Sequence, residues 1–222
     1  MQDKGLYNAG SLGIESALST NKVLKNTYML LGMTLLFSAA TAGISMAMGL
    51  PQGAALILML VGFGLLFVVN RTADSSKGIV AIFAFTGVMG ASIGPMLNYY
   101  LAMPGGPALV MQALGSTAVV FFGLSAYALT TRKDFSYMGG FLMVGLLVAV
   151  VAMIANIFLN IPALSLTISA AVVLIMSGLI LFDTSRIING GETNYVMATV
   201  SLYLSIFNLF TALLHLIGFS ND

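Results

Sequence analysis

Formal charges stand in short clusters separated by long, largely apolar runs. Forty-five uncharged residues separate Lys25 from Arg71, 54 separate Lys77 from Arg132, 48 separate Asp134 from Asp183 and 29 separate Glu192 from Asp222. A hydrocarbon core ~30 Å thick is crossed by about 20 helical residues, so these runs hold two, two, two and one crossings. A paired crossing needs a turn on the far side, and turn residues stand near the middle of each long run. They are Gly49-Leu50-Pro51-Gln52-Gly53, Met103-Pro104-Gly105-Gly106-Pro107 and Asn160-Ile161-Pro162. The pattern predicts an all-α integral membrane protein, a bundle with spans near 26–48, 54–70, 78–101, 108–131, 137–159, 163–188 and 195–218. Residues 1–25 form a polar N-terminal segment, 26–218 one seven-helix transmembrane domain and 219–222 a short tail.

Basic residues orient the bundle, because loops rich in Lys and Arg stay in the cytoplasm. Lys4, Lys22 and Lys25 precede helix one, Arg71 and Lys77 join helices two and three, Arg132 and Lys133 join four and five, and Arg186 ends helix six. All of these fall on one face. The expectation is a cytoplasmic N-terminus and a C-terminus on the opposite side. The first 25 residues are too polar for a cleaved signal sequence, so helix one is expected to insert uncleaved. Tyr28, Tyr137 and Tyr195 fall near cytoplasmic edges and Tyr99 and Tyr100 near a far edge, where amphipathic rings settle.

Composition agrees: of 222 residues, 59% are apolar and 7% charged. A net charge of +1 leaves no electrostatic footprint for nucleic acid. Without cysteine the chain has no disulfide, thiolate metal site or cysteine nucleophile. Gly87, Gly90 and Gly94, spaced three and four apart, line one face of helix three, and that face is expected to meet another helix.

Few polar groups stand where they could work. A carboxylate inside a membrane needs a partner, water or a proton, and only Asp183 qualifies. It lies within a turn or two of the cytoplasmic surface. Either it is an interfacial residue paired with Arg186 one turn on, or it faces the bundle interior and titrates, with Arg186 and Arg71 as possible partner charges. Ser205 and Asn208 share a face of helix seven near its midpoint, where they serve either interhelical hydrogen bonds or contact with an ion. His215 lies near the far end of that helix, and as the only histidine it supplies no metal cluster.

Catalytic constellations are missing from this inventory. Asp183 has no intramembrane companion for aspartyl hydrolysis, and no Gly-x-Ser-x-Gly elbow occurs. No lysine follows Lys133 to hold retinal, and no GxxxxGK[ST] loop binds nucleotide phosphates. The reading is a protein that is not an enzyme and carries no cofactor.

Three segments carry a resemblance. Gly78-Ile-Val-Ala-Ile-Phe-Ala-Phe-Thr-Gly-Val-Met-Gly-Ala-Ser-Ile-Gly-Pro95, Leu181-Phe-Asp-Thr-Ser-Arg-Ile187 and Leu202-Tyr-Leu-Ser-Ile-Phe-Asn-Leu-Phe210 resemble the third-, sixth- and seventh-helix motifs of the Bax inhibitor-1 family, its bacterial YccA-like branch in particular. The resemblance implies a compact bundle with helix seven at its centre, in a bacterial inner membrane. It implies either a regulator of other membrane proteins, such as a membrane-anchored AAA protease, or a pH-sensitive calcium leak channel with Asp183 at its cytoplasmic-side gate and Ca2+ as the permeant ion. The family pattern pairs an aspartate on helix six with one on helix seven as a proton-sensitive latch. Asp183 matches the first, and Ser205 stands in place of the second. A serine cannot share a proton with a carboxylate as a second carboxylate does. A hairpin turning near Gly190 sets Asp183 level with about Met197, roughly 12 Å short of Ser205. The Asp183–Ser205 contact is thus implied by the resemblance alone.

Overall fold

The computed structural model describes residues 3–219, with side chains from residue 18 onward. Its helices are α1 (Asp3–Ala47), α2 (Gln52–Thr72), α3 (Ser76–Leu101), α4 (Gly106–Thr131), α5 (Gly139–Leu159), α6 (Pro162–Ile188) and α7 (Tyr195–Phe219), with a 3-10 turn over Ser136–Met138 before α5. All seven are long and apolar enough to cross a membrane. The tail expected at 219–222 lies, beyond Phe219, outside the described residues.

The breaks fall where the backbone requires them. Gly49 and Gly105 adopt left-handed conformations (φ 62° and 70°) at the α1–α2 and α3–α4 turns. Asn160, also left-handed (φ 49°), closes α5, and Pro162 opens α6 at a position where no amide N–H is needed. The main departure is at the start of α1, which is helical from Asp3 rather than from residue 26. Its apolar span alone runs Leu18–Ala47. Hydropathy marks where a helix enters hydrocarbon and not where it begins, and no proline precedes Pro51 to break it. Residues 3–25 thus continue the first helix.

Sequence neighbours are not always packing neighbours. α1 lies mainly on α3 and also touches α6 and α7, while α2 packs against α3. α5 packs against α6 and the 3-10 turn that precedes it, and α7 touches α1, α3, α4 and α6. The core follows: Leu31, Ile82, Phe85, Ile180, Leu202, Tyr203, Leu209 and Leu214 are fully buried. Large side chains on α2 and α5, such as Phe67 and Phe158, stay exposed, as lipid-facing positions do.

The glycine face of α3 meets α1. A side chain on Gly90 would run into the backbone carbonyl of Ser38, and one on Gly94 into Ser45. This close approach repairs a defect in α3. Pro95 has no N–H to donate, so the Ala91 carbonyl four residues back loses its helical partner. Ser45 Oγ donates to that carbonyl at 2.7 Å, satisfying it within a helix that has no water to turn to. About two turns away along α1, the fully buried Tyr203 donates from Oη to the Thr86 carbonyl (3.3 Å) and shares a 2.7 Å hydrogen bond with Ser38 Oγ. Three helices are joined at one hydroxyl.

Candidate functional site

Asp183 lies on the stripe Val172, Met176, Ile180, Ile187 that α6 buries. These positions recur every three to four residues, so the carboxylate shares a face with core side chains. It is 9% exposed, flanked by the fully buried Thr184 and Ser185, and stands five residues before the end of α6. The interior placement is therefore the one adopted. Arg186 turns away from it: Nη2 lies 3.5 Å from Glu192 Oε2 and donates to the Gly191 carbonyl (3.1 Å), and the guanidinium rests 5.6 Å from the Phe182 ring centre. Arg71 is exposed at the end of α2. Among the described residues no ion pair joins Asp183 to either arginine, and no hydrogen bond reaches its carboxylate.

Around Asp183 the neighbouring polar groups tie elements together. Ser185 Oγ donates to the Lys133 carbonyl (3.0 Å) and accepts from the Phe135 N–H (3.0 Å), holding the α4–α5 connection against α6. Thr184 Oγ1 lies 3.4 Å from Tyr28 Oη of α1. Thr199 Oγ1 of α7 donates to the Tyr195 carbonyl (2.7 Å) and approaches the Thr27 carbonyl of α1 (3.3 Å). Asn194 caps α7, its Oδ1 accepting from the N–H of Val196 (2.9 Å) and of Met197 (3.1 Å). Its Nδ2 donates to Asp74 Oδ1 (2.7 Å), joining the α6–α7 and α2–α3 connections. At the α4–α5 connection, hydrogen bonds from the Ser136 hydroxyl and backbone N–H (2.8 Å to Oδ1) hold the Asp134 carboxyl below the usual carboxylate range.

Ser205 is buried, 3% exposed, but among the described residues no hydrogen bond joins it to Asp183. The reason is axial. Asp183 is five residues from the end of α6 and Ser205 ten residues into α7, leaving them roughly 7 Å apart along the helix axes. The non-helical stretch 189–194 shortens the offset expected from a tight hairpin without closing it. The contact implied by the resemblance is absent from this arrangement.

Asn208 belongs elsewhere. Its Nδ2 donates to the Leu204 carbonyl (2.8 Å), and its side chain lines a cavity of about 340 Å³ at the other end of the bundle, between α5, α6 and α7. His215 is there as well, with Nδ1 2.9 Å from Ser169 Oγ and Nε2 3.5 Å from Ser165 Oγ. The sequence places His215 near the far end of α7 and assigns it no partner. Its serine partners lie about fifty positions away, and their spacing of four on α6 was the available signal. A larger cavity of about 480 Å³ opens between α1, α3, α4 and α7, with Ser38 and Tyr203 among otherwise mostly apolar walls. Among the described residues no three His, Cys, Asp or Glu side chains gather as a metal site.

Comparison with known proteins agrees with this architecture. The family model described as "Inhibitor of apoptosis-promoting Bax1" matches residues 20–222, nearly the whole chain. The chain belongs to the Bax inhibitor-1 family. Within it, a protein of Escherichia coli strain K12 named "Modulator of FtsH protease YccA" is 56% identical over 207 residues, covering 93% of this chain and 94% of its own. The corresponding protein of Escherichia coli O6:H1, also 56% identical over 207 residues, is named "Inner membrane protein YccA". A Vibrio cholerae serotype O1 protein named "Uncharacterized membrane protein" is 52% identical over 210 residues, 94% of both chains. These relatives thus match 93–94% of this chain, and Asp183 sits in this member without a carboxylate at position 205, where Ser205 stands.

Proposed function

We propose that this Bax inhibitor-1 protein is a multi-pass protein of the bacterial inner membrane that regulates a membrane-anchored AAA protease of the FtsH type by binding it, with no chemical step of its own. The observation that carries the reading is the 56% identity, over 93% of the chain, to a relative named as a modulator of that protease. In this reading the N-terminus is cytoplasmic, the C-terminus lies opposite, and α7 is the central helix. Residues 1–25 supply the cytoplasmic handle, 26–218 the membrane domain, and lipid surrounds α2 and α5. The buried polar ties around Asp183 make the cytoplasmic end a rigid surface, which favours binding without large rearrangement. The test places a photo-cross-linking residue at Lys22 on α1 or at Arg132 in the α4–α5 connection, both exposed at the end of the bundle that carries the handle, in native membranes. Recovery of protease subunits at one or both sites is the expected result. Recovery at neither, with the chain present at normal abundance, removes the reading.

A second reading is favoured by one observation, the burial of Asp183 on a membrane-crossing helix: a cation leak with Ca2+ as the permeant ion and Asp183, Ser205 and Asn208 along its path. Asp183→Asn in calcium-dye liposomes separates the two. Flux lost in the variant supports conduction, and flux absent at every pH or equal in both proteins excludes it.

A further inference from the structure

The cavity around His215 is a built site that the protease reading does not use and that the leak reading touches only at Asn208. Its geometry follows from α5, which packs against α6 and leaves the neighbouring flank of α7 uncovered. The groove between them is floored by α6. Six hydrogen-bonding side chains converge on it: Asn156 from α5, Ser165 and Ser169 from α6, and Asn208, Thr211 and His215 from α7. Isolated polar groups in a membrane are ordinarily turned onto their own helix backbone, as Thr211 Oγ1 is onto the Asn208 carbonyl (3.0 Å). Here several keep capacity to spare. Asn156 uses Oδ1 to accept from the Ile161 N–H (3.1 Å), and among the described residues its amide N–H groups have no partner. Asn208 uses Nδ2 on the Leu204 carbonyl, and among the described residues its Oδ1 has none.

The lining also says what the occupant is not. It contains no Asp, Glu, Lys or Arg, so a phosphate or a metal cation would enter hydrocarbon without a counter-charge, at a cost of several kcal/mol on the order expected for a buried ion. The depth fits a lipid-like molecule. His215 lies four residues from Phe219, about 6 Å from the end of α7, and Asn208 eleven residues, about 16 Å, from it. Asn156, Ser165 and His215 thus lie within four residues of a helix end and Asn208 lies deeper, while Met153, Ile157, Ile168 and Val172 supply apolar wall, so that a few polar groups stand in a mostly apolar pocket.

We propose that the α5–α6–α7 groove binds the uncharged, hydroxyl- or carbonyl-bearing head of a membrane amphiphile, held by His215, Ser169 and Asn156. Two sources offer that chemistry, a neutral glycerolipid and an isoprenoid quinone. Native mass spectrometry of the full chain in detergent tests it with dioleoylglycerol, ubiquinone and the anionic control dioleoylphosphatidylglycerol. The expected result is retention of one or both neutral probes above the anionic control, reduced about tenfold in His215→Phe or Ser169→Ala, as loss of one or two buried hydrogen bonds implies. Retention of dioleoylglycerol alone assigns a glycerolipid, and of ubiquinone alone a quinone. Asn156→Ala, on the opposite wall, keeps the test decisive if a change near α7 prevents folding. Neutral probes held no better than the anionic one, or held equally by Asn156→Ala and every folded variant, overturn the proposal.

Discussion

Replacing Gly90 by alanine adds a single methyl where α3 lies against α1. The new Cβ would meet the Ser38 carbonyl together with the Thr41 and Ser38 hydroxyls, and the carbonyl cannot rotate aside. The helices must separate, at an overpacking cost of about 1–3 kcal/mol. The same movement stretches the Ser38–Tyr203 hydrogen bond, worth roughly another 0.6 kcal/mol in a membrane protein. Alanine returns up to about 1 kcal/mol through helix propensity, leaving a net loss of about 1–3 kcal/mol. Gly32 on α1 provides the control, because a side chain there meets nothing within 4 Å and only the propensity gain applies. For a chain of this size a loss of 1 kcal/mol lowers the melting temperature by about 2–4 °C. Thermal melts of detergent-purified protein should place Gly90→Ala on the order of 5 °C below wild type and Gly32→Ala at or slightly above it. A Gly90→Ala protein that melts with Gly32→Ala would refute the close-packed α1–α3 seam.

Other outcomes follow from the same contacts. Ser45→Ala strands the Ala91 carbonyl that Pro95 cannot satisfy, and thermal melts should show a loss of about 1–2 kcal/mol, vanishing when Pro95→Ala restores the N–H in the same chain. Ser185→Ala leaves the buried Phe135 N–H unpaired and frees the loop it clamps, so trypsin should cut after Arg132 or Lys133 faster in the variant, in detergent. Asp134, whose carboxylate the Ser136 hydrogen bonds favour, should titrate below the ordinary aspartate value of about 3.9. Its contribution to the Ser136–Met138 turn is present above the unfolded pKa and lost as pH falls through the lowered folded value. A carboxyl-carbon NMR titration midpoint at or above the ordinary value contradicts that account.

Seven crossings were legible because charge is expensive in hydrocarbon, so uncharged runs count membrane passages directly. The turns were legible too: Gly49, Gly105, Asn160 and Pro162 are residues whose backbone preferences suit helix ends. The Gly87–Gly90–Gly94 row announced a close helix contact but not that α1 would supply it. Hydropathy is blind to helix order, since lipid and protein are equally apolar environments, and so α1 resting on α3 rather than α2 was not readable. The polar beginning of α1 was not legible for a related reason, the backbone staying helical where the side chains turn polar. At the candidate site, the periodicity of α6 puts Asp183 on a buried stripe once the stripe is known. The axial offset from Ser205 and the meeting of His215 with Ser169 depend on how α6 and α7 slide past each other, which side-chain pattern does not encode.

Regulation by binding is the central claim, and purified components test it most directly. The protease and this chain are co-reconstituted in liposomes at increasing ratios, and degradation of a membrane substrate is followed over time. The account expects a rate that changes as the chain is added and levels off near equal stoichiometry, with no proteolysis by the chain alone. A degradation rate that stays constant across all ratios, with both proteins shown to be inserted, contradicts it.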